Sequence, residues 1–183
     1  MRRKKVKSMD IQVNGKRVHA ATGSRLINKE EPAVILLHGA GMDRTIWQLQ
    51  TRNIAYMGRQ VYALDLPGHG RSEGAPLITI SEISEWVSDF MDAAELASAS
   101  VIGHSMGALV AIEFAGNHPK KLNKLCLIGI SESMPVHPDL LDAAKRNEPL
   151  APELIVFWGV GGKAQIGGHP NPGLWIHGAS QTL

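Results

Sequence analysis

The sequence predicts an α/β fold, in which helices cover both faces of a mostly parallel sheet. Short apolar runs at 33–37, 60–64 and 124–130 are continuous rather than alternating, which is typical of strands buried on both faces. Between the runs lie segments with helical spacing, of which Thr79–Leu96 is the clearest. The 19 glycines suit tight turns between the two kinds of segment. Strands and helices therefore alternate from about residue 33 to residue 130.

The length and composition exclude several classes of protein. The chain has 183 residues, of which 44% are hydrophobic and 20% charged, so it can build a core. This composition excludes a disordered chain, a collagen-like chain, a disulfide scaffold and a coiled coil. No stretch approaches the roughly 18 consecutive apolar residues of a transmembrane helix.

The net charge of +2 comes from the start of the chain. Five of the 19 Lys and Arg residues lie within residues 1–8, which leaves 14 against 17 Asp and Glu, or −3. We therefore expect residues 1–8 to be a solvated basic tail, and we predict no nucleic-acid binding for the domain.

The chain's single cysteine, Cys126, lies in an apolar run and is predicted to be a buried structural thiol. A lone cysteine and the lack of an apolar run after the basic residues favour the cytoplasm.

The first elements are readable from turn and capping signals. Asn14-Gly15 between two short polar–apolar runs predicts a hairpin with a tight two-residue turn. Thr45–Met57 is predicted to be a helix. In Thr79–Leu96, Thr79 and Glu82 match a capping box at the start of an apolar stripe that we assign to the core.

Gly103-His104-Ser105-Met106-Gly107 is the most informative segment. It follows a short apolar strand and precedes a helix predicted over 108–117, which is the context that a G-x-S-x-G nucleophile motif requires. So sharp a turn strains the backbone at Ser105, and Gly103 and Gly107 remove the Cβ atoms that would clash. Ser105 Oγ would then stand at the sheet edge beside a helix N-terminus, which favours developing negative charge.

A second glycine-rich turn, His38-Gly39-Ala40-Gly41, directly follows the strand at 33–37. The backbone N–H groups of Ala40 and Met106 are predicted to form an oxyanion hole. We interpret His38 as a histidine that braces this loop, and His104 as packed beside the turn rather than as a base.

Three segments together resemble the α/β-hydrolase superfamily in order and spacing: VILLHGAG, ALDLPGHGRSEG and VIGHSMGALVAIEFA. The resemblance covers roughly residues 10–158. It implies Ser105 as nucleophile, Ala40 and Met106 as oxyanion donors, a hydrolase core over 9–134 and a lid-like segment over 135–183. A serine at this position favours esterases, lipases, thioesterases, carbon–carbon bond hydrolases and cofactor-free perhydrolases over the dehalogenase and epoxide-hydrolase branches, which carry aspartate there. The family's loop after its fourth strand corresponds to residues that we interpret as structural: Asp65, His69 and Arg71.

The family order is Ser, then Asp or Glu, then His, and this chain departs from it after Ser105. Glu132, just after the strand at 124–130, is the best candidate acid, although a surface-loop glutamate is the competing interpretation. No histidine matches the family's base position: His118, His137, His169 or His177. We therefore expect a truncated α/β-hydrolase with an incomplete triad, an unpaired sheet edge and an uncovered apolar face.

The function predicted from the sequence is that of a serine hydrolase. It would cleave an ester, thioester or carbon–carbon bond of a small molecule through an acyl-enzyme, and we expect no cofactor and no metal site. One alternative is a non-catalytic module that binds a small molecule in the same pocket. Another is self-association through the exposed sheet edge.

Overall fold

A computed structural model describes residues 8–159 of the chain. The predicted basic tail therefore lies outside the described residues, apart from Ser8. In chain order the elements are β1 (Ser8–Val13), β2 (Lys16–Ala21), β3 (Ala33–Leu37), α1 (Gln48–Tyr56), β4 (Gln60–Leu64), α2 (Ile80–Ala93), β5 (Ala99–His104), α3 (Met106–Asn117), β6 (Leu122–Ile128), α4 (Pro138–Lys145) and α5 (Leu150–Gly159).

The six strands form one sheet in the order β1-β2-β4-β3-β5-β6. β4, β3, β5 and β6 are parallel, whereas β1 and β2 form an antiparallel hairpin that adds to β4. The predicted fold class is confirmed. Asn14 and Gly15 have φ angles of 50° and 73°, as a two-residue hairpin turn with right-handed twist requires.

Helices cover the two faces of the sheet unequally. α2 and α3 pack on one face, where Phe90 and Phe114 are fully buried against the strands. On the other face α1 and the 3-10 turn Arg44–Trp47 cover β3 and β4 with a smaller cluster that contains Trp47 and Ala55. The helix predicted over 45–57 is thus a 3-10 turn followed by the shorter α1.

The predicted capping box of α2 is present. Thr79 Oγ1 accepts a hydrogen bond from the Glu82 N–H, and the Glu82 carboxylate accepts one from the Thr79 N–H. At the other end Glu95 adopts a φ of 58°, and the Leu96 N–H donates to the Met91 carbonyl. This left-handed residue ends α2 at Ala93, before the predicted end at 96.

The prediction that residues 124–130 form a strand buried on both faces was wrong. β6 spans Leu122–Ile128, lies at the edge of the sheet and is exposed at six of its seven residues. Cys126 is accordingly exposed, which corrects the prediction of a buried thiol. β6 is the last strand in the order of the sheet, and no further strand among residues 8–159 pairs with its outer edge. The expected unpaired edge and uncovered apolar side chains are present in this part of the chain.

Residues 8–130 belong to one compact unit, and a second begins at Ser131. The domain bounds of 9–134 and 135–183 stay a prediction. The described part of the second unit contains α4 and α5. A lid function for residues 135–183 stays a prediction.

Among the helices between residues 8 and 159, none has the length and apolar character needed to cross a membrane.

Replacement of Thr79 by Ala should lower the free energy of unfolding by about 1 kcal/mol, because the Glu82 N–H loses its acceptor. Urea unfolding followed by circular dichroism measures the change. Ser81→Ala, at an exposed position in the same turn, is the matched control and should change stability by less than about 0.5 kcal/mol. Equal effects of the two substitutions would contradict the capping role.

Candidate active site

Ser105 lies at the junction between β5 and α3 with φ 53° and ψ −118°. This conformation is unfavourable for a residue with a Cβ atom and costs on the order of 1–3 kcal/mol. Two backbone hydrogen bonds hold it: the Ser105 N–H donates to the Ile128 carbonyl at 2.9 Å, and the Ser105 carbonyl accepts from the Ala108 N–H at 2.8 Å. The strained turn predicted from the sequence is therefore present, and the end of β6 is one of its anchors.

Glycines permit close backbone contact on both sides of Ser105. A Cβ atom on Gly103 would lie 2.1 Å from the Gly107 carbonyl oxygen. A Cβ atom on Gly107 would lie 2.5 Å from the Leu37 carbonyl oxygen and 2.6 Å from that of His38. The first turn of α3 thus packs directly against the end of β3, and only glycine fits at either position.

The loop after β3 reaches the same place. A Cβ atom on Gly39 would lie 3.2 Å from Ser105 Cβ, so the backbone before Ala40 approaches the serine closely. Among residues 8–159, neither the Ala40 N–H nor the Met106 N–H donates a hydrogen bond to another residue. Both groups expected to form an oxyanion hole are therefore unused by the described part of the chain.

His38 fixes the orientation of the Gly39–Ala40 peptide. Its ring is fully buried, and Nε2 accepts a hydrogen bond from the Leu66 N–H at 3.1 Å. Nδ1 must then carry the proton, which it donates to the Gly39 carbonyl at 2.8 Å. Because the two ends of a trans peptide point in opposite directions, this bond turns the Ala40 N–H away from the imidazole. Burial lowers the pKa of His38 to about 4, so the ring is neutral at pH 7.

Asp65 organises the neighbouring loop after β4. Its carboxylate is fully buried and accepts hydrogen bonds from the Arg44 N–H, the Arg44 guanidinium at 2.6 Å and the Arg71 N–H at 2.9 Å. His69 packs its ring 4.9 Å from that of His38. Asp65 and His69 are thus engaged in holding loops together, whereas the part played by Arg44 was not anticipated from the sequence.

His104 is half-buried beside Ser105. Its ring is nearly perpendicular to that of Trp47, with 6.4 Å between the ring centroids, and its buried Nδ1 has no hydrogen-bond partner among the described residues. Burial lowers the pKa of His104. No hydrogen bond joins His104 to Ser105 Oγ.

Within residues 8–159, none of the other acid and base candidates forms a hydrogen bond with Ser105 Oγ. His118 Nε2 lies 3.0 Å from the Glu85 carboxylate, and His137 Nδ1 accepts from the Asp139 N–H at the start of α4. Glu132 is exposed and makes no hydrogen bond or ion pair with another residue of the described part. The remaining two candidates, His169 and His177, lie outside the described residues.

The sequence profile of the alpha/beta hydrolase fold family matches residues 32–159. The match covers more than half of the chain and includes both glycine-rich turns and the segment around Asp65. This chain belongs to that family.

Individual proteins similar to this chain have several activities. It is 36% identical over 128 residues to the dihydrolipoyllysine-residue acetyltransferase component of the acetoin cleaving system of Pseudomonas putida, a match that covers 67% of this chain and 34% of that protein. It is 34% identical over 105 residues to the pimeloyl-[acyl-carrier protein] methyl ester esterase of Proteus mirabilis, covering 57% and 38%. The chain thus spans about a third of the length of these curated relatives.

A solved structure of a thermophilic esterase is also similar, with a TM-score of 0.68 and 28% identity. The superposition covers 82% of this chain and 55% of that one. The described fold is therefore shared with an ester-cleaving enzyme over most of this chain.

Gly107→Ala should destabilise the protein by about 3 kcal/mol or more, because the new Cβ would meet two backbone carbonyl oxygens that cannot move separately. Gly116 in the same helix offers the matched control, since a Cβ there meets nothing within 4 Å. Gly116→Ala should stabilise by up to about 1 kcal/mol through helix propensity. Chemical denaturation of both variants measures the difference, and similar effects would show that the close approach at Gly107 is not needed.

The neutral His38 ring should make stability depend on pH. Its folded pKa of about 4 lies below the ordinary value of 6.5, so its contribution is complete above pH 6.5 and is lost as pH falls through 4. His38→Gln removes this titration. Between pH 7.5 and 4.5 the variant should lose roughly 2–3 kcal/mol less stability than the parent.

Urea unfolding at the two pH values measures this difference for the parent, His38→Gln and His137→Asn. The last variant removes an exposed histidine and retains a cap for α4, so it controls for loss of a histidine in general. The same pH dependence in His38→Gln as in the parent would overturn the account of His38 as a buried neutral ring.

Proposed function

We propose that this chain carries the nucleophile and oxyanion hole of a serine hydrolase that cleaves esters, thioesters or carbon–carbon bonds of small molecules. The observation that supports the proposal most directly is the strained Ser105 at the strand–helix junction, next to two unused N–H groups. A backbone strained by about 1–3 kcal/mol is expected where function requires the geometry. The similarity to a methyl ester esterase and to a thermophilic esterase supports the same class of reaction.

In the proposed reaction Ser105 Oγ attacks the carbonyl carbon of the substrate and gives up its proton to a general base. The carbonyl π electrons move onto oxygen, where the N–H groups of Ala40 and Met106 stabilise the negative charge. Collapse of this intermediate expels the protonated leaving group and leaves an acyl group on Ser105. Water then attacks the carbonyl carbon of the acyl group on Ser105 by the same route, which releases the carboxylic acid product and restores the Ser105 hydroxyl.

The acid and the base are the incomplete part of this proposal. We retain Glu132 as the candidate acid, and we assign the base to none of the histidines between residues 8 and 159. In five of those rings a nitrogen is engaged elsewhere: His19, His38, His69, His118 and His137. A serine without a base is a weak nucleophile. Hydrolases that lack triad members still accelerate the reaction, but only by about 10³–10⁴ over the rate in water.

That incompleteness supports a second candidate function, a small-molecule-binding module without turnover. The two candidates differ in what happens after binding. A substrate-like ester that raises the thermal midpoint and is recovered unchanged would favour the binding module, whereas release of its acid would favour the hydrolase.

The test of Ser105 is covalent labelling by a fluorophosphonate, measured by intact mass. If a base acts on Ser105, the parent should be labelled rapidly at one site and Ser105→Ala should not be labelled. Ser131→Ala, at an exposed serine in a loop, is the control and should be labelled like the parent. Equally slow labelling of folded parent and Ser105→Ala protein would exclude an activated nucleophile and favour the binding module.

A further inference from the structure

A cavity of about 410 Å³ lies between α1 and the turn that follows β2. We call it the α1 pocket. Gly23 in the turn has a φ of 66°, and a Cβ atom on it would lie 2.5 Å from the Thr51 carbonyl oxygen of α1. Only glycine therefore lets the turn approach α1 so closely beside the pocket. No residue of the glycine-rich turns 38–41 and 103–107 lines the α1 pocket, so it is separate from the candidate active site.

Several hydrogen-bonding side chains that line the α1 pocket are unused by the described part of the chain. Gln48, Arg52 and Tyr56 follow one another at intervals of four residues along α1, so they lie on one side of the helix. Their side chains form no hydrogen bond or ion pair with another residue of 8–159, and the same is true of Ser24 in the turn after β2. The pocket therefore presents free donors from both the helix and the turn.

The α1 pocket is positively charged. Its lining contains no Asp or Glu, and neither does α1. Arg52 is exposed and pairs with no carboxylate among the described residues. Arg44 also lines the pocket, and its Nη1 donates to the buried carboxylate of Asp65 at 2.6 Å. This ion pair neutralises Arg44 and fixes its position, but Nε and Nη2 keep N–H groups that no described residue accepts.

We propose that the α1 pocket binds a small molecule that carries a phosphate monoester. Guanidinium groups match the geometry of phosphate oxygens, and such charge-assisted hydrogen bonds are strong. Donors on both the helix and the turn suit a tetrahedral anion, because its oxygens point in different directions, whereas the two oxygens of a carboxylate share one plane. The volume of the cavity is that of a site for a small organic ligand rather than for a bare ion. Tyr56 is 69% exposed, so its ring is free to pack against an apolar body attached to the phosphate.

Phenyl phosphate is a suitable probe, because it joins a phosphate monoester to an aromatic ring. Titration of the whole chain at low salt, followed by ¹H–¹⁵N NMR, gives both a dissociation constant and the location of the site. We expect saturable shifts concentrated at residues 21–24 and 44–56, with a dissociation constant of roughly 0.1–1 mM for a ligand of this size. Benzoate, which has a carboxylate in place of the phosphate, should bind more weakly by about fivefold or more.

Arg52→Gln should weaken binding of phenyl phosphate about fivefold to tenfold, because it removes the uncompensated charge of the pocket. The Arg52 side chain is exposed and has no partner in the described part, so this variant should fold like the parent. Arg59→Gln is the matched control, since Arg59 is exposed, lies just beyond α1 and does not line the α1 pocket. It removes the same net charge and should change the affinity by less than about twofold. Tyr56→Ala should weaken binding of phenyl phosphate by about threefold and leave binding of inorganic phosphate unchanged.

Four results would each overturn the proposal. The first is a lack of saturable shifts at residues 21–24 and 44–56, which includes shifts confined to the surroundings of Ser105. The second is equal weakening by Arg52→Gln and Arg59→Gln, since this would reflect net charge alone. The third is binding of benzoate as tight as that of phenyl phosphate. The fourth is co-sedimentation with vesicles of phosphatidylcholine and phosphatidic acid that Arg52→Gln abolishes, since the phosphate would then belong to a lipid.

None of these measurements depends on a reaction at Ser105, so the outcome is separate from that of fluorophosphonate labelling.

Discussion

The positive φ angle of Ser105 is the constraint on which the arrangement of this site depends. It turns the chain from β5 into α3 within one residue, and this sharp turn places a helix start at the edge of the sheet. The strain of about 1–3 kcal/mol is offset by hydrogen bonds at both ends of the residue. Without glycine at 103 and 107 the backbones could not approach closely enough to make the turn.

A second set of interactions brings the loop after β3 to the same edge. His38 and Asp65 are both fully buried and use their polar atoms to hold backbone N–H and carbonyl groups of the loops after β3 and β4. Buried polar groups are costly unless they are hydrogen-bonded, so this arrangement is stable in few other geometries. The position of the Ala40 N–H therefore follows from the buried hydrogen bonds of His38 and Asp65, and not from contacts of Ala40 itself.

Local signals predicted much of this architecture. The Asn14-Gly15 turn, the capping box at Thr79 and the strand–turn–helix around Ser105 each have a sequence signal that lies within a few residues. Features that depend on distant partners could not be predicted from one sequence. The pairing of Arg44 with Asp65 and the exposure of Cys126 are of this kind, because an apolar run identifies a strand but not what lies beside it.

β6 links the stability of the site to the exposed side of the molecule. The Ile128 carbonyl at its end accepts the hydrogen bond from the Ser105 N–H, yet the strand has an unpaired outer edge among the described residues and an open groove on one face. Edge strands open more readily than central ones, so the anchor of the strained serine lies on one of the less protected strands of the sheet. Whatever packs against β6 and restricts its opening also holds Ser105 in its strained conformation, because the two share that hydrogen bond. The geometry of the nucleophile is therefore coupled to the covering of a surface that makes no contact with substrate in the proposed reaction.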